Sequence, residues 1–155
     1  MGEIGRYTTT RGLRRVGLAI LIPCAALCVL LILFPSGSVI ASANFKVWEA
    51  FQAVFGWLPH AETFTPGRLE RVWNVVMFIP LGFGLVLLWP HWWWASVLLL
   101  ASIGIEGVQF LFYGGARLPE AWDIVTNGLG GIIGVAAGFV VLWLFRPEDG
   151  RADDG

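Results

Sequence analysis

The chain has 155 residues and a formal net charge of −1, and its composition is 57% hydrophobic and only 14% charged. Soluble globular domains carry about 25% charged residues, and a domain of this length has too much surface to hide so many apolar side chains from water. The composition therefore excludes a soluble enzyme and a disordered chain, and the balanced charge excludes a basic nucleic-acid-binding protein. We expect an all-α integral membrane protein.

The first membrane helix is predicted over residues 16–34, a run without charge that is long enough to cross about 30 Å of hydrocarbon. Residues 41–43, Ala-Ser-Ala, resemble a signal-peptidase site, so a cleaved signal peptide is the alternative. The apolar run exceeds a typical signal core and ends several residues before that site, which favours a retained helix. Cys24 and Cys28 lie inside the run and show neither a disulfide framework nor zinc-ligand spacing.

Residues 44–58 combine apolar side chains at helical spacing with polar ones between them. The apolar positions are Val47, Phe51, Val54, Phe55 and Leu58. This pattern predicts an amphipathic helix that lies along the outer membrane surface. A short docked segment without a particular role remains the alternative.

Three further membrane helices are predicted over residues 72–89, 92–112 and 124–145, which gives a bundle of four transmembrane helices. We expect residues 1–145 to form one transmembrane domain and the acidic tail, 146–155, to be disordered. Small residues on one helix face let helix backbones approach closely. The last helix carries such a face, and we expect this glycine seam to pack inside the bundle rather than against a second copy; it consists of Gly130, Gly134 and Gly138.

Lysine and arginine placement predicts the orientation. With the N-terminus inside, six basic residues lie in inner segments and four in outer ones, and the N-terminal cluster is the strongest signal; it contains Arg6, Arg11, Arg14 and Arg15. We therefore predict a multi-pass protein of the plasma membrane with both termini in the cytoplasm. The tryptophans agree with these spans, since one group falls at each expected membrane surface.

Polar residues in and near these helices predict a site at the outer side. Glu106 lies about 9 Å from the outer end of the third helix at about 1.5 Å per residue, a depth where an ionisable side chain is costly and faces the bundle interior. Three pairs share a helix face: Glu106 with Gln109, Asp123 with Asn127, and Arg71 with Asn74. Arg68, Glu70 and Arg117 stand in the adjoining outer segments.

Each of these residues also has a purely structural interpretation, as an ion pair, a helix-start carboxylate or an interhelical hydrogen bond. The set as a whole favours function, because the hairpin between the second and third helices carries only His91. No nucleophile–histidine arrangement, metal-ligand spacing or glycine-rich phosphate loop is visible. We therefore predict no cofactor and no metal, and the sequence leaves open whether the protein is an enzyme.

Three stretches carry a resemblance to a known family: residues 71–82, 106–110 and 117–130. From Asn74 the first is similar to the pattern Asn-x-x-x-Phe-x-Pro-x-Gly, and from Glu106 the second is similar to Glu-x-x-Gln. The third is Arg117 followed, from Asp123, by Asp-x-x-x-Asn-x-x-Gly. The chain thus resembles the VanZ-like family of small bacterial membrane proteins. The resemblance implies a cell-envelope protein, and the family is named for a protein associated with resistance to teicoplanin, but it supplies no reaction.

The favoured hypothesis is that the protein binds or modifies an anionic lipid or a lipid-linked cell-wall precursor at the outer leaflet. Its arginines would hold a phosphate or carboxylate bidentately: Arg68, Arg71 and Arg117. Asn74, Gln109 and Asn127 would contribute polar contacts, and Glu106 and Asp123 are the acid–base candidates if a reaction occurs. One alternative is an accessory protein that binds another envelope protein or forms a homodimer. The other is a small transporter, which four helices without an inner polar entrance support less well.

Overall fold

The computed structural model describes residues 9–33, 37–112 and 121–145. These residues form five α-helices and one short 3-10 helix, and they contain no β-strand. The α-helices are α1 (Arg11–Leu33), α2 (Gly37–Phe55), α3 (Pro66–Leu88), α4 (Trp94–Phe112) and α5 (Ala121–Leu144), and the 3-10 helix is Ala61–Thr63. The all-α prediction is confirmed for this part of the chain.

The centre of the fold is the pair α3 and α5, which touch backbone to backbone. A Cβ atom added at Gly130 would collide with the carbonyl oxygen of Val75, and one added at Gly134 would collide with that of Ile79. The residue numbers of the contacting positions increase together along both helices, so α3 and α5 run parallel. The glycine seam therefore packs inside the bundle, as predicted, and only glycine permits this approach.

Helix α1 lies against the other side of α3 and runs antiparallel to it. Near its start, the hydroxyl of Thr9 donates to the carbonyl oxygen of Leu87, 2.7 Å away, close to the end of α3. Further along, a Cβ atom added at Gly17 would lie 3.0 Å from the carbonyl oxygen of Gly84. Most of the apolar surface of α1 is exposed, as expected for a helix at the edge of a bundle in lipid.

Helix α4 packs against α5 and is antiparallel to it. Leu99 faces Gly128, Leu98 faces Gly131, and a Cβ atom at either glycine would meet the leucine side chain at 3.0–3.2 Å. Helices α1, α3, α4 and α5 thus alternate in direction. One end of the bundle carries the starts of α3 and α5 with the end of α4, and we call it the polar end. The opposite end carries the turn between α3 and α4.

Three helices are long and apolar enough to cross a membrane: Arg11–Leu31, Pro66–Leu88 and Ala121–Leu144. The apolar part of α4 is shorter, Trp94–Val108. The fold is therefore that of a membrane protein with several candidate spans, while a full fourth crossing by α4 stays a prediction. The tryptophans divide as expected: Trp92 and Trp93 are exposed at the α3–α4 turn and Trp57 and Trp122 at the polar end.

Four helices begin earlier than the sequence predicts: α1 at Arg11 rather than at residue 16, α5 at Ala121 rather than at residue 124, and also α2 and α3. Helix α3 starts at Pro66 rather than at residue 72, because Thr65 caps it by accepting a hydrogen bond from the Arg68 N–H and proline suits the first helical position. Arg68 and Glu70 therefore lie on α3 and not in a preceding segment. Helix α2 starts at Gly37 and ends at Phe55, whereas the amphipathic pattern predicts residues 44–58.

Helix α2 is tied to the chain that leads into α3. The side-chain amides of Asn44 and Gln52 and the indole N–H of Trp48 donate to backbone carbonyls of residues 61–66 over 2.5–3.1 Å. These three donors are four residues apart, so they share one helix face. That face of α2 is therefore fixed against the approach to α3.

Candidate functional site

The polar end joins the two central helices through Asn74 on α3 and Asp123 on α5. The Asn74 side-chain amide donates to Asp123 Oδ1 over 2.8 Å. Both residues are partly buried, and Asp123 lies in the first turn of its helix. The acceptor is a carboxylate placed at the positive end of the α5 dipole, where its negative charge is stabilised.

A second polar pair lies one turn further into α5. Asn127 is only 6% exposed, and its side-chain amide nitrogen donates to the hydroxyl oxygen of Ser102 on α4 over 2.9 Å. Ser102 is fully buried. The other end of the same amide, Asn127 Oδ1, is buried without a hydrogen-bond partner, which is costly in an apolar interior. The pair holds α4 and α5 together and leaves one polar atom unsatisfied.

Ser102 is a site residue that the sequence interpretation missed. It precedes Glu106 by four residues, so both side chains lie on one face of α4. A serine inside an apolar run is a weak signal, because a hydroxyl can bond to its own helix backbone. The four-residue spacing from a buried carboxylate is the feature that would have identified it.

Glu106 lies at the level of Asp123. Helices α4 and α5 are antiparallel, and Ser102 on α4 faces Asn127 on α5. One turn onward on α4 is Glu106, and one turn back on α5 is Asp123, so the register places the two carboxyl groups at the same height. Glu106 is 8% exposed. We name the set of Asn74, Ser102, Glu106, Asp123 and Asn127 the polar cluster.

Two arginines stand beside the polar cluster on α3. The guanidinium carbon of Arg71 lies 5.1 Å from the ring centroid of Trp122, which joins the starts of α3 and α5. Arg68 Nη1 donates to the backbone carbonyl oxygen of Thr63 over 2.8 Å, and the residue is exposed. An aromatic face positions a guanidinium without neutralising its charge, so Arg71 keeps its attraction for anions.

Two predicted site residues cannot be placed in this geometry. Arg117 and the predicted tail, 146–155, lie outside the described residues, and the side chain of Gln109 is likewise outside them although its backbone belongs to α4. These residues stay predictions. Within the described part of the chain, no three His, Cys, Asp or Glu side chains are grouped as metal ligands would be.

The arrangement can bind a chemical group that is anionic and carries several hydrogen-bond donors or acceptors. Arg68 and Arg71 supply positive charge at the edge of the bundle, and the polar cluster supplies amide, hydroxyl and carboxyl groups deeper inside. Because water is scarce in such an environment, each hydrogen bond formed there is electrostatically stronger than the same bond in water. The described geometry offers binding groups from α3, α4 and α5 at one end of an otherwise apolar bundle.

The fold and the site define the protein as a helical membrane protein with several candidate spans and a cluster of polar residues at one end. The chain belongs to the VanZ/LLP1 family, whose family model matches residues 20–145, about four fifths of the chain. The match includes all five residues of the polar cluster. No curated protein and no solved structure shows a significant match to the chain.

Proposed function

We propose that the protein binds the anionic head group of a lipid, or of a lipid-linked cell-wall precursor, at the polar end of the bundle. One observation carries this proposal: three helices bring buried and partly buried polar side chains together beside two arginines, at one end of an apolar bundle. Polar groups in a membrane interior are costly, and they normally mark a functional site.

The arginines support an anionic ligand. A guanidinium presents a planar set of donors that matches phosphate and carboxylate oxygens in a bidentate manner. Arg71 is fixed over Trp122, and Arg68 is exposed one turn nearer the start of α3. We propose that Arg117 belongs to the same binding group and that Gln109 adds a polar contact. A phosphate lying between these side chains would remain at the depth of the lipid head groups.

The two carboxyl groups, of Glu106 and Asp123, are better suited to orienting the ligand than to catalysing a reaction. Asp123 accepts from Asn74, and Glu106 lies at its level on α4. If a bond is broken, Glu106 is the acid–base candidate because it is the more buried of the two.

Binding of a cell-wall precursor would connect the protein to teicoplanin-type resistance. Teicoplanin susceptibility of cells that express the wild type or Glu106→Gln tests that connection, and equal susceptibility in both would remove it.

We also propose a membrane arrangement for the chain: a plasma-membrane protein with four crossings, cytoplasmic termini and the polar end outside. Helix α2 would then lie along the outer surface. Beside its fixed face, one flank of α2 carries exposed Val47 and Val54 and the other carries exposed Lys46 and Glu49. Such a pair of flanks suits a helix between lipid and water.

The glycine seam does not support the accessory-protein alternative. A glycine face is a common contact surface for another membrane helix. Here that face is occupied, because Gly130 and Gly134 pack against the backbone of α3. A partner protein would have to bind elsewhere, which leaves lipid binding as the better supported function.

Lipid analysis of the purified protein tests the head-group proposal. The wild type, Arg71→Ala and Arg14→Ala are extracted in native membrane discs, and their co-purified lipids are quantified by mass spectrometry. Arg14 is exposed near the start of α1, at the opposite end of the bundle, and serves as the matched control. We expect Arg71→Ala to lose most of an enriched anionic lipid and Arg14→Ala to keep it. Identical lipid profiles in all three would contradict the proposal.

A further inference from the structure

The polar cluster contains one buried atom without a hydrogen-bond partner, Asn127 Oδ1. Asn127 is only 6% exposed, and its side-chain oxygen Oδ1 has no hydrogen-bond partner. Its amide nitrogen is already committed to Ser102. An amide oxygen without a partner is costly in an apolar interior. A bound group that satisfies it would recover that energy as binding.

We propose that Asn127 and Ser102 bind a hydroxyl group of the lipid head group, so that the preferred ligand is an anionic phospholipid whose head group carries hydroxyls. This inference rests on the proposed function, since Arg71 is taken to hold the phosphate. It adds to the proposed function a statement of which head-group atoms, other than those of the phosphate, the protein recognises. The ligand class is a phosphate diester of a polyol, as opposed to a phosphate ester of a simple alkyl or amino alcohol.

The spacing of the site agrees with this order of contacts. Asn127 lies one helical turn below Asp123 on α5, and about 6 Å separates such positions along a helix face. The guanidinium of Arg71 lies over the ring of Trp122, the residue before Asp123 on α5. A polyol attached to a phosphate at Arg71 would therefore have to extend by about one turn of helix to reach Asn127.

A hydroxyl suits this position better than an ammonium group. A hydroxyl both donates and accepts, so it can donate to Asn127 Oδ1 while it accepts from the hydroxyl of Ser102. An ammonium group only donates, and its burial beside two neutral side chains costs far more than burial of a hydroxyl. Asn127 Oδ1 is screened from solvent. The hydroxyl therefore reaches it only when the ligand displaces neighbouring side chains, and binding should be slower than simple surface association.

Two anionic lipids of equal charge test the proposal. Phosphatidylglycerol has head-group hydroxyls and phosphatidylethanol has none, while both carry one phosphate charge. Binding of each to the purified full-length protein in phosphatidylcholine nanodiscs is measured for the wild type, Asn127→Leu and Thr126→Val. Thr126 is the matched control, because it neighbours Asn127 on α5 and its hydroxyl already donates to the Trp122 carbonyl oxygen.

We expect the wild type and Thr126→Val to prefer phosphatidylglycerol by about fivefold, the value of one hydrogen bond of about 1 kcal/mol. Asn127→Leu should bind the two lipids equally, because it lacks the contact that distinguishes them. Equal binding of the two lipids by the wild type would overturn this inference and leave the head-group proposal intact. A preference unchanged in Asn127→Leu would also overturn it.

Two further arms separate the remaining explanations. Phosphatidylethanolamine, which offers an ammonium group, should bind no better than phosphatidylcholine; if it exceeds phosphatidylglycerol, the buried pair binds an amine and the hydroxyl assignment is wrong. If neither anionic lipid binds above the phosphatidylcholine background, both the proposed function and this inference fail. Should Asn127→Leu not fold, Ser102→Ala replaces it, with the same loss of preference expected.

Discussion

Asn74 and Asp123 connect the two central helices at the polar end. Their hydrogen bond spans 49 positions of the sequence and has a charged acceptor. Hydrogen bonds to charged groups contribute more than neutral ones, yet in membrane proteins the measured coupling is modest because polar groups also find partners when the chain is unfolded in the membrane. The bond therefore fixes the relative position of α3 and α5 more than it adds stability.

A double-mutant cycle measures this bond. Asn74→Ala and Asp123→Ala, singly and together, are compared by reversible unfolding in mixed micelles. We expect a coupling of about 1 kcal/mol, in the range found for interhelical hydrogen bonds in membrane proteins. The control cycle pairs Asn74→Ala with Thr126→Val, whose hydroxyl bonds within its own helix, and it should be additive. Additivity in both cycles would show that the Asn74–Asp123 bond contributes nothing.

At the scale of helices, the close approach of α3 and α5 decides where the polar cluster lies. Gly130 and Gly134 meet the carbonyl oxygens of Val75 and Ile79. Without a side chain at these positions the two helix axes come near enough for side chains at their starts to bond. The packing of α3 against α5 therefore controls the geometry of the polar cluster, because a wider separation would pull Asn74 away from Asp123.

An alanine substitution in the glycine seam tests this contact. We expect Gly134→Ala to lower the free energy of unfolding by about 1–3 kcal/mol, because the added methyl group would collide with the α3 backbone. The matched control is Gly104→Ala on α4, where a Cβ atom meets nothing within 4 Å. That change should be neutral or stabilise by up to about 1 kcal/mol through higher helix propensity. Equal effects of the two substitutions would mean that α3 and α5 are not in close contact.

In the proposed arrangement, one flank of helix α2 faces lipid and the other flank faces water. An environment-sensitive fluorophore attached to Val54→Cys should report an apolar surrounding, and the same label on Glu49→Cys an aqueous one, because the two residues lie on opposite flanks. The native Cys24 and Cys28 are first replaced by alanine. The difference in emission maximum is the measurement, and identical spectra would exclude a surface helix with these flanks.

For the whole molecule, the alternation of α1, α3, α4 and α5 places the two turns beside α3 at opposite ends. The 56–65 segment belongs to the polar end and the turn around His91 to the other. In the proposed orientation the first faces outward and the second faces the cytoplasm, in agreement with the arginines near α1.

Labelling from one side of the membrane tests the orientation. In a background without Cys24 and Cys28, Glu62→Cys should react with a membrane-impermeant thiol reagent in intact cells. His91→Cys should react only after permeabilisation. Both side chains are exposed, so access depends on the side of the membrane alone. The reverse result would invert the orientation, and reaction of both in intact cells would contradict an odd number of crossings between them.

Most of the candidate site follows from the sequence because polar residues stand out in an apolar chain. Glu106, Asp123, Asn74 and Asn127 are identified in this way, and their shared helix faces follow from spacing alone. Ser102 escaped, since a single hydroxyl in a membrane helix has no need of an outside partner. Arg71 contacts the ring of Trp122, a pairing that spacing along one helix does not reveal, because it depends on the register of two parallel helices.

The sequence alone determined that this is an all-helical membrane protein with a few polar residues in and near its helices, because hydrophobic length and composition are local properties that no fold can alter. It also determined where a glycine face lies. Only the tertiary structure decided which residues meet: α3 against the glycine seam, Asn74 with Asp123, and Ser102 with Asn127. Those pairings depend on the order, direction and register of helices, and in lipid no difference in hydrophobicity selects among apolar helix faces. Close packing and a few polar bonds make that choice.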